Sequence, residues 1–561
     1  MKEAKRADLL LIVSLLAALT FPVLYILRFA DNNTLTSWRW VFSNSNFITV
    51  NILIISGIVV SYIASHYFFH ERYSLLLLSL LPFAITIPLW QEPEIIIDAS
   101  RYFLQAKHLE VYGAGSYLNE WGKEISAWTD LPLVPFIYGL IFRYCGESRL
   151  YIQLFNSLLF TSAVLLTYQT GKLFFNRETG VFGGLLLLGI PYLHTQVPLM
   201  LVDLPVMFFF TLATYLFLKA TSQGGLSAIL FSSLSLFLAI FSKYSAWLML
   251  MTLPLTAIIT SRQGSKRTIY RSGMIFGIAV ALTAVLVALR YDVFYEQIRL
   301  LASYQWPGLK KWEEGFASTF LFQSHPFIII LAVIATIVAI KRKDKQFLIM
   351  GWAALFIIVL QIKRIRYIIP LFPFIALMAS YGLCSIKEKN IKRFIVFCII
   401  TYSFVISSFG YLPFLNKTSA VNLKDAGVYL DSLKGDYVEV YALPQSSSSG
   451  NTASSVPILD LFTNKKIIFK HGGRPEEAGE LWMKSPLRFT WEMKMPGYYS
   501  YHSTEPPITA IISGSEKPLR ELHPFVPPHT GLMEFRTDNK AYRYKTFVTV
   551  FAKEGMSGKE Q

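Results

Sequence analysis

The sequence predicts a mainly α-helical, polytopic membrane protein of about thirteen transmembrane helices with a small C-terminal α/β extracytoplasmic domain. Three observations predict it. Hydrophobic residues make up 53% of the 561 residues and charged residues only 16%, too little polar surface to cover a soluble protein of this size. Apolar runs near span length recur between residues 9 and 414. Beyond residue 414 the chain turns polar and rich in Ser, Gly and Pro, with no further span. A soluble enzyme, a disordered protein and a disulfide scaffold are excluded.

Lys plus Arg total 52 against 36 Asp plus Glu, a net charge of +16. In a membrane protein this excess collects in cytoplasmic loops, so membrane lipids and not nucleic acid are the expected partners. Cys145, Cys384 and Cys398 lie in or beside apolar segments without metal-ligand or disulfide spacing.

The amino end carries Lys2, Lys5 and Arg6 before an apolar run at 9–27, which reads as an uncleaved first helix with its start in the cytoplasm. Runs at 47–69 and 74–90 follow, and the third exits outside, making 91–131 a long external loop. Further runs lie at 150–173, 181–200, 204–218, 226–241, 246–260, 274–289, 320–340, 347–361, 367–383 and 394–414. Basic clusters at Lys172/Arg177, Arg262/Lys266/Arg267/Arg271, Lys341/Arg342/Lys343/Lys345 and Lys387/Lys389/Lys392/Arg393 mark cytoplasmic turns. Parity then puts Asp203, Lys243, the 291–318 loop and the 363–367 stretch outside. The apolar 131–145 segment, short and with prolines at 132 and 135, reads as a helix lying at the interface. Two domains follow: 1–414 in the membrane and 415–561 outside it. In the second, 422–433 is expected as an amphipathic helix, 437–442, 466–470 and 509–512 as strands, and 446–455 as a flexible loop.

Three groups of residues suggest chemistry. Asp98 lies just beyond a span, with Arg101 and Tyr102 at plus three and plus four on one helical face, and Glu94 one turn earlier. It suits a water-exposed functional carboxylate or a helix N-cap. Asp203 stands between two apolar runs, where a carboxylate is costly unless it faces protein, water or an ion; with Pro205 it also suits a helix start. Two carboxylates on one membrane face suit a divalent cation (Mg, Mn or Zn) or a division of base and positioning roles. Lys363, Arg364 and Arg366, followed by Tyr367, reverse the usual charge rule on the outer side. They suit either a phosphate held at the interface or snorkelling to lipid headgroups, as does Lys243.

In order and membrane side, these residues resemble the GT-C superfamily of membrane glycosyltransferases, nearest to its protein O-mannosyltransferase and lipid A aminoarabinose transferase (ArnT-like) group. Asp98 with Arg101 and Tyr102 resembles the first-loop motif. Leu131-Pro132-Leu133 resembles the start of the interfacial helix, Asp203 the second external Asp, and Ser242-Lys243 a Thr/Ser-Lys step. Arg364-Ile365-Arg366-Tyr367-Ile368-Ile369-Pro370 resembles a late Arg-x-Arg-Tyr-x-x-Pro stretch. The likeness spans about residues 74–385. Ala99 stands where the family usually carries an acidic residue, Asp130 stands where related chains can carry a basic one, and two spans precede the motif that the simplest family layout lacks.

The resemblance implies an inverting transfer of a sugar from a polyprenyl-phosphate donor to a lipid, glycan or protein hydroxyl on the outer face of a bacterial inner (plasma) membrane. Asp98 is then the general base, Asp203 orients it or binds a metal, and Lys363, Arg364, Arg366, Tyr367 and Lys243 hold phosphate. Arg101, Tyr102 and Glu94 position the first loop. Tyr304, Trp306 and Trp312 line lipid or acceptor access, or anchor at the interface. A transporter, a lipid flippase or a non-catalytic assembly subunit are the rival readings.

Overall fold

A computed structural model describes residues 2–43, 45–68, 71–261, 266–306, 314–443, 450–471, 485, 487–500, 508–517, 530–537 and 545–553. Eight of the described helices are long and apolar enough to cross a membrane: Arg6–Ala30, Phe47–Tyr67, Ser74–Gln91, Arg149–Phe174, Asp203–Gln223, Lys266–Leu289, Ile365–Leu383 and Lys389–Thr418. The chain is a multi-pass membrane protein. Shorter apolar helices, among them Leu226–Ile240, Tyr244–Ile259 and Phe347–Val359, lie between them. The expected run at 181–200 is two short helices, Arg177–Leu187 and Pro191–Gln196, because Pro191 lacks an N–H and opens a new helix at its first turn. Ile365–Leu383 is 94% buried, whereas Phe47–Tyr67 and Lys266–Leu289 are each 17% buried, so the late span forms the middle of the bundle and the other two its lipid-facing rim.

The 91–131 segment is more ordered than a loop. It holds the helix Ala99–Glu120, bent at Gly113, whose φ of 88° lies in the left-handed region that glycine tolerates. The helix Leu133–Cys145 packs beside it at short range. A Cβ on Gly139 would meet the Leu109 Cβ at 2.7 Å and the Ala106 carbonyl oxygen at 2.8 Å, so only glycine allows that approach. One face of Leu133–Cys145 is buried and the other partly buried, with Arg143, Tyr144 and Cys145 exposed at its end. The 291–318 stretch likewise begins as the helix Tyr291–Leu300, and residues 307–313, with Trp312, lie outside the described residues.

The C-terminal residues form a five-stranded mixed sheet. Its strands are β1 (Tyr437–Ala442), β2 (Lys466–His471), β3 (Ile508–Ser513), β4 (Thr530–Arg536) and β5 (Phe547–Lys553), in the order β2-β1-β3-β5-β4. β1 pairs parallel with β2 and β3, and β5 pairs antiparallel with β3 and β4. Every residue of β3 is buried, as a central strand covered on both faces requires. The helix Val421–Ser432 packs against the sheet, and its Asn422 donates to the Thr546 carbonyl at 2.6 Å. The expected flexible loop at 446–455 is corrected in its described part. Asn451 caps a buried turn, Thr452–Ser455, that runs into the helix Val456–Asp460. Residues 444–449 lie outside the described set.

Candidate active site

Asp98 occupies the N-cap position of Ala99–Glu120, yet its side chain makes no capping hydrogen bond. It turns instead to Arg366, whose Nη1 donates to Asp98 Oδ2 at 2.9 Å. The same guanidinium donates to Asp203 Oδ2, from Nη2 at 2.8 Å and from Nε at 3.1 Å. Asp203 does not cap its helix either, since Val202 holds that position. Its other oxygen, Oδ1, accepts from Lys243 Nζ at 2.5 Å. Two aspartates from different parts of the chain therefore meet on one side of the bundle, joined by one arginine.

The two carboxylates are not equivalent. Asp98 keeps 21% of its side chain exposed and Asp203 only 1%. Asp98 opens onto the space beside it, while Asp203 is buried and held by two cations. Arg101 lies 3.5 Å from Asp98 and also grips Asp130, Nε to Oδ2 at 2.9 Å and Nη2 to Oδ1 at 3.0 Å. Asp98, Asp130 and Asp203 thus face Arg101, Lys243 and Arg366, an inner cluster of balanced charge. Burial disfavours the ionised form of Asp98, but the cations Arg101, Arg366 and Arg364 outweigh it and hold the carboxyl well below the usual range. Asp130 goes the other way: burial raises it and Arg101 only partly offsets that.

Asp98, Arg101, Asp130, Lys243, Arg364 and Arg366 line a cavity of about 1270 Å³. Lys363 is exposed at its edge, and Thr319 donates to the Lys363 carbonyl at 2.6 Å. Arg364 lies 3.8 Å from Glu314, and the Tyr367 ring sits between cations, 5.4 Å from Lys243 Nζ and 5.8 Å from the Arg364 guanidinium carbon. Tyr102 is buried in the wall, with the Arg101 guanidinium 5.6 Å from its ring. Tyr304 and Trp306 also line the cavity, and Trp306 is exposed.

Glu94 lies outside the cavity. Its fully buried carboxylate accepts from Arg149 Nε at 2.9 Å and from the Met200 amide at 3.2 Å, tying the strand-like approach to Asp98 to the segment that leads into Asp203. Two cavity residues, Glu314 and Phe489, are additions to those the sequence singled out, and Asp130, noted there only as a departure from the family pattern, joins them. Asp130 pairs with Arg101, Glu314 with Arg364, and Phe489, from the C-terminal region, covers the Arg101 guanidinium at 4.2 Å. Asp130 had a signal as an acid beside a short apolar helix; Glu314 and Phe489 lie in stretches without a motif.

The two aspartates do not fit a divalent cation as they stand. Asp98 Oδ2 and Asp203 Oδ2 are both bonded to Arg366, and Asp203 Oδ1 to Lys243, so the guanidinium occupies the position between the carboxylates. Among the described residues no group of three or more His, Cys, Asp or Glu is placed to hold a metal.

Residues 130–291 match the family model of dolichyl-phosphate-mannose-protein mannosyltransferases. That segment includes Asp130, Asp203 and Lys243. No curated protein sequence matches the chain. Among solved structures, ArnT from Cupriavidus metallidurans bound to undecaprenyl phosphate is similar, with a TM-score of 0.53 and 12% identity over 86% of this chain and 99% of that one. The apo state of the same protein gives a TM-score of 0.51 and 11% identity over 84% and 97%. The oligosaccharyltransferase AglB from Archaeoglobus fulgidus, in complex with an inhibitory peptide and a dolichol-phosphate, gives 0.47 and 10% over 79% and 70%. In fold, the chain is similar to the membrane protein ArnT, and its residues 130–291 match the mannosyltransferase family model.

Proposed function

We propose that the chain transfers a sugar from a polyprenyl-phosphate donor to a hydroxyl acceptor at the extracytoplasmic face of a bacterial inner membrane. In this reading residues 1–414 cross the membrane about thirteen times, and residues 415–561 form an extracytoplasmic domain. The observation that carries it is Asp98, partly exposed in the cavity and joined through Arg366 to the buried Asp203. The likeness to an ArnT structure bound to undecaprenyl phosphate supports the donor class.

The phosphodiester of such a donor already contains a good leaving group. The protein has to hold the phosphate, align the acceptor hydroxyl behind the anomeric carbon and take up its proton. The acceptor oxygen attacks the anomeric carbon as the bond from that carbon to the phosphate oxygen breaks. The electron pair leaves with polyprenyl phosphate, the proton passes to Asp98, and the anomeric centre inverts. Lys363 and Arg364, with Lys243 behind them, stabilise the charge gathering on the phosphate. Positioned base catalysis of this kind contributes about 10²–10⁴ in rate.

In the free protein Asp98 is ionised but a weak base, because Arg101 and Arg366 stabilise its charge. A donor phosphate brings negative charge to the same cations and competes for Arg366. Both effects raise the proton affinity of Asp98 when the acceptor is in place. The test is to incubate the detergent-purified protein with synthetic polyprenyl-phosphate sugar and a set of hydroxyl acceptors and to measure the lipid released, with mass spectrometry of the copurifying lipid, and to repeat it after reconstitution in vesicles. Release of polyprenyl monophosphate is expected. Movement of intact donor across vesicles without cleavage would replace this reading with a flippase.

A further inference from the structure

We infer that the acceptor is a saccharide, seated on an aromatic wall built by Trp128, Tyr304 and Phe489; this rests on the transferase reading above. The three residues line the same cavity as Asp98. The Trp128 ring meets Tyr304 edge-on at 5.7 Å and lies 6.4 Å from Phe489. They come from three separate parts of the chain: the turn before the Leu133–Cys145 helix, the end of the helical stretch after Tyr291, and the C-terminal region. Arg488, 5.4 Å from the Tyr304 ring and 5.9 Å from the Trp128 ring, packs on both and pairs with Glu492.

Backbone strain marks the same place. Trp128 has a φ of 47°, in the left-handed region that bulky side chains seldom enter. Such strain persists where surrounding structure over-determines it, commonly at binding sites. It falls two residues before Asp130, so one turn delivers both the ring and the carboxylate that holds Arg101.

The order of contacts gives the wall its role. Phe489 covers Arg101, and Arg101 reaches Asp98. Asp98 is bonded in turn to Arg366, on the side of Lys243 and Arg364. Asp98 therefore stands between the phosphate-facing cations and the aromatic wall. Displacement at an anomeric carbon needs donor phosphate and acceptor oxygen on opposite sides of that carbon, so the acceptor belongs at the wall. Flat aromatic rings suit the C–H faces of pyranose rings, and Thr129 and Gln305 in the same lining supply hydrogen-bonding groups for hydroxyls.

The test overlays full-length protein in detergent on a glycan array and on an array of Ser- and Thr-containing peptides. Saccharide binding is expected, weakened at least about tenfold in Trp128→Ala and Phe489→Ala. If Trp128→Ala does not fold, Phe489→Leu, which keeps apolar volume and loses the flat ring, makes the same comparison. Binding to peptides alone, binding to neither array, or equal saccharide binding by the wild type and the folded variants overturns the inference. Donor cleavage by the wild type is measured in parallel. Cleavage without saccharide binding removes this inference and leaves the transferase reading standing, whereas saccharide binding lost in the variants without donor cleavage removes the transferase reading and keeps a saccharide site.

Discussion

Arg366 and Asp98 are joined by a 2.9 Å hydrogen bond, and the guanidinium that makes it also holds the buried Asp203. Removing the arginine leaves Asp203 with Lys243 alone in a buried setting. Breaking a buried pair from one side costs about 3–5 kcal/mol, because the remaining charge is uncompensated. Arg366→Ala is therefore expected to lower the melting temperature in detergent clearly. Arg366→Lys, which keeps a charge but cannot grip both carboxylates, is expected to fall between that variant and the wild type. Differential scanning fluorimetry of the three proteins checks the order.

The contribution of three buried carboxyls to stability is expected to fall as pH rises through the weakly acidic range. Burial pushes Asp31 up to about 6 and Asp460 up to about 6, and it pushes Glu147 up to about 7, against the pull of Lys107 on the last two. A carboxyl with a folded value above its unfolded one binds its proton more tightly when folded. Its favourable contribution is present in acid and is lost as pH climbs from the unfolded value through the folded one. For Asp460 the difference amounts to at most about 3 kcal/mol. Asp98 is shifted the opposite way, and its contribution is lost only on acidification below the ordinary carboxylate range. Between pH 5 and pH 8, Asp460→Asn should lose less melting temperature, or gain more, than the wild type. Identical pH profiles in the two proteins would count against the Asp460 shift.

Chelation is expected to leave turnover unchanged. With Arg366 and Lys243 occupying the facing oxygens of the two aspartates, the electrostatic role of a cation between them is already filled by side chains. Turnover measured with and without EDTA, followed by addition of Mg²⁺, Mn²⁺ or Zn²⁺, checks it. Loss with EDTA and recovery with one ion would contradict it.

Arg364→Gln is expected to weaken donor binding more than acceptor binding, raising the donor KM by about tenfold with a smaller change for the acceptor. Steady-state kinetics with each substrate varied in turn separates the two.

Much of the site was legible because its residues are expensive where they stand. Asp203 and the Lys363–Arg366 group interrupt apolar sequence, and such charges need partners; the structure joins Asp203 to Arg366, while Arg364 lies beside Glu314. The first Asp was harder to read. An Asp before a helix is ordinarily a cap, and only coordinates show that Asp98 leaves the backbone uncapped to meet Arg366.

Other parts were hidden for physical reasons. Glu314 and Phe489 act through proximity across long stretches of chain, which no local spacing encodes. Apolar runs near the lower length limit do not distinguish one crossing from two short helices, as Arg177–Leu187 and Pro191–Gln196 illustrate. In the sheet, three strands follow from the sequence and the structure adds two. β5 carries the aromatic and β-branched residues of a strand, but β4 has little such pattern and owes its conformation to pairing along β5.

The most direct test of the proposed mechanism is a single-turnover measurement of sugar transfer from a synthetic polyprenyl-phosphate donor by the wild type and by Asp98→Asn, at matched donor occupancy. The mechanism predicts that the variant remains folded and binds donor, and that its transfer rate falls by about 10²–10⁴. Transfer at the wild-type rate by Asp98→Asn would contradict it.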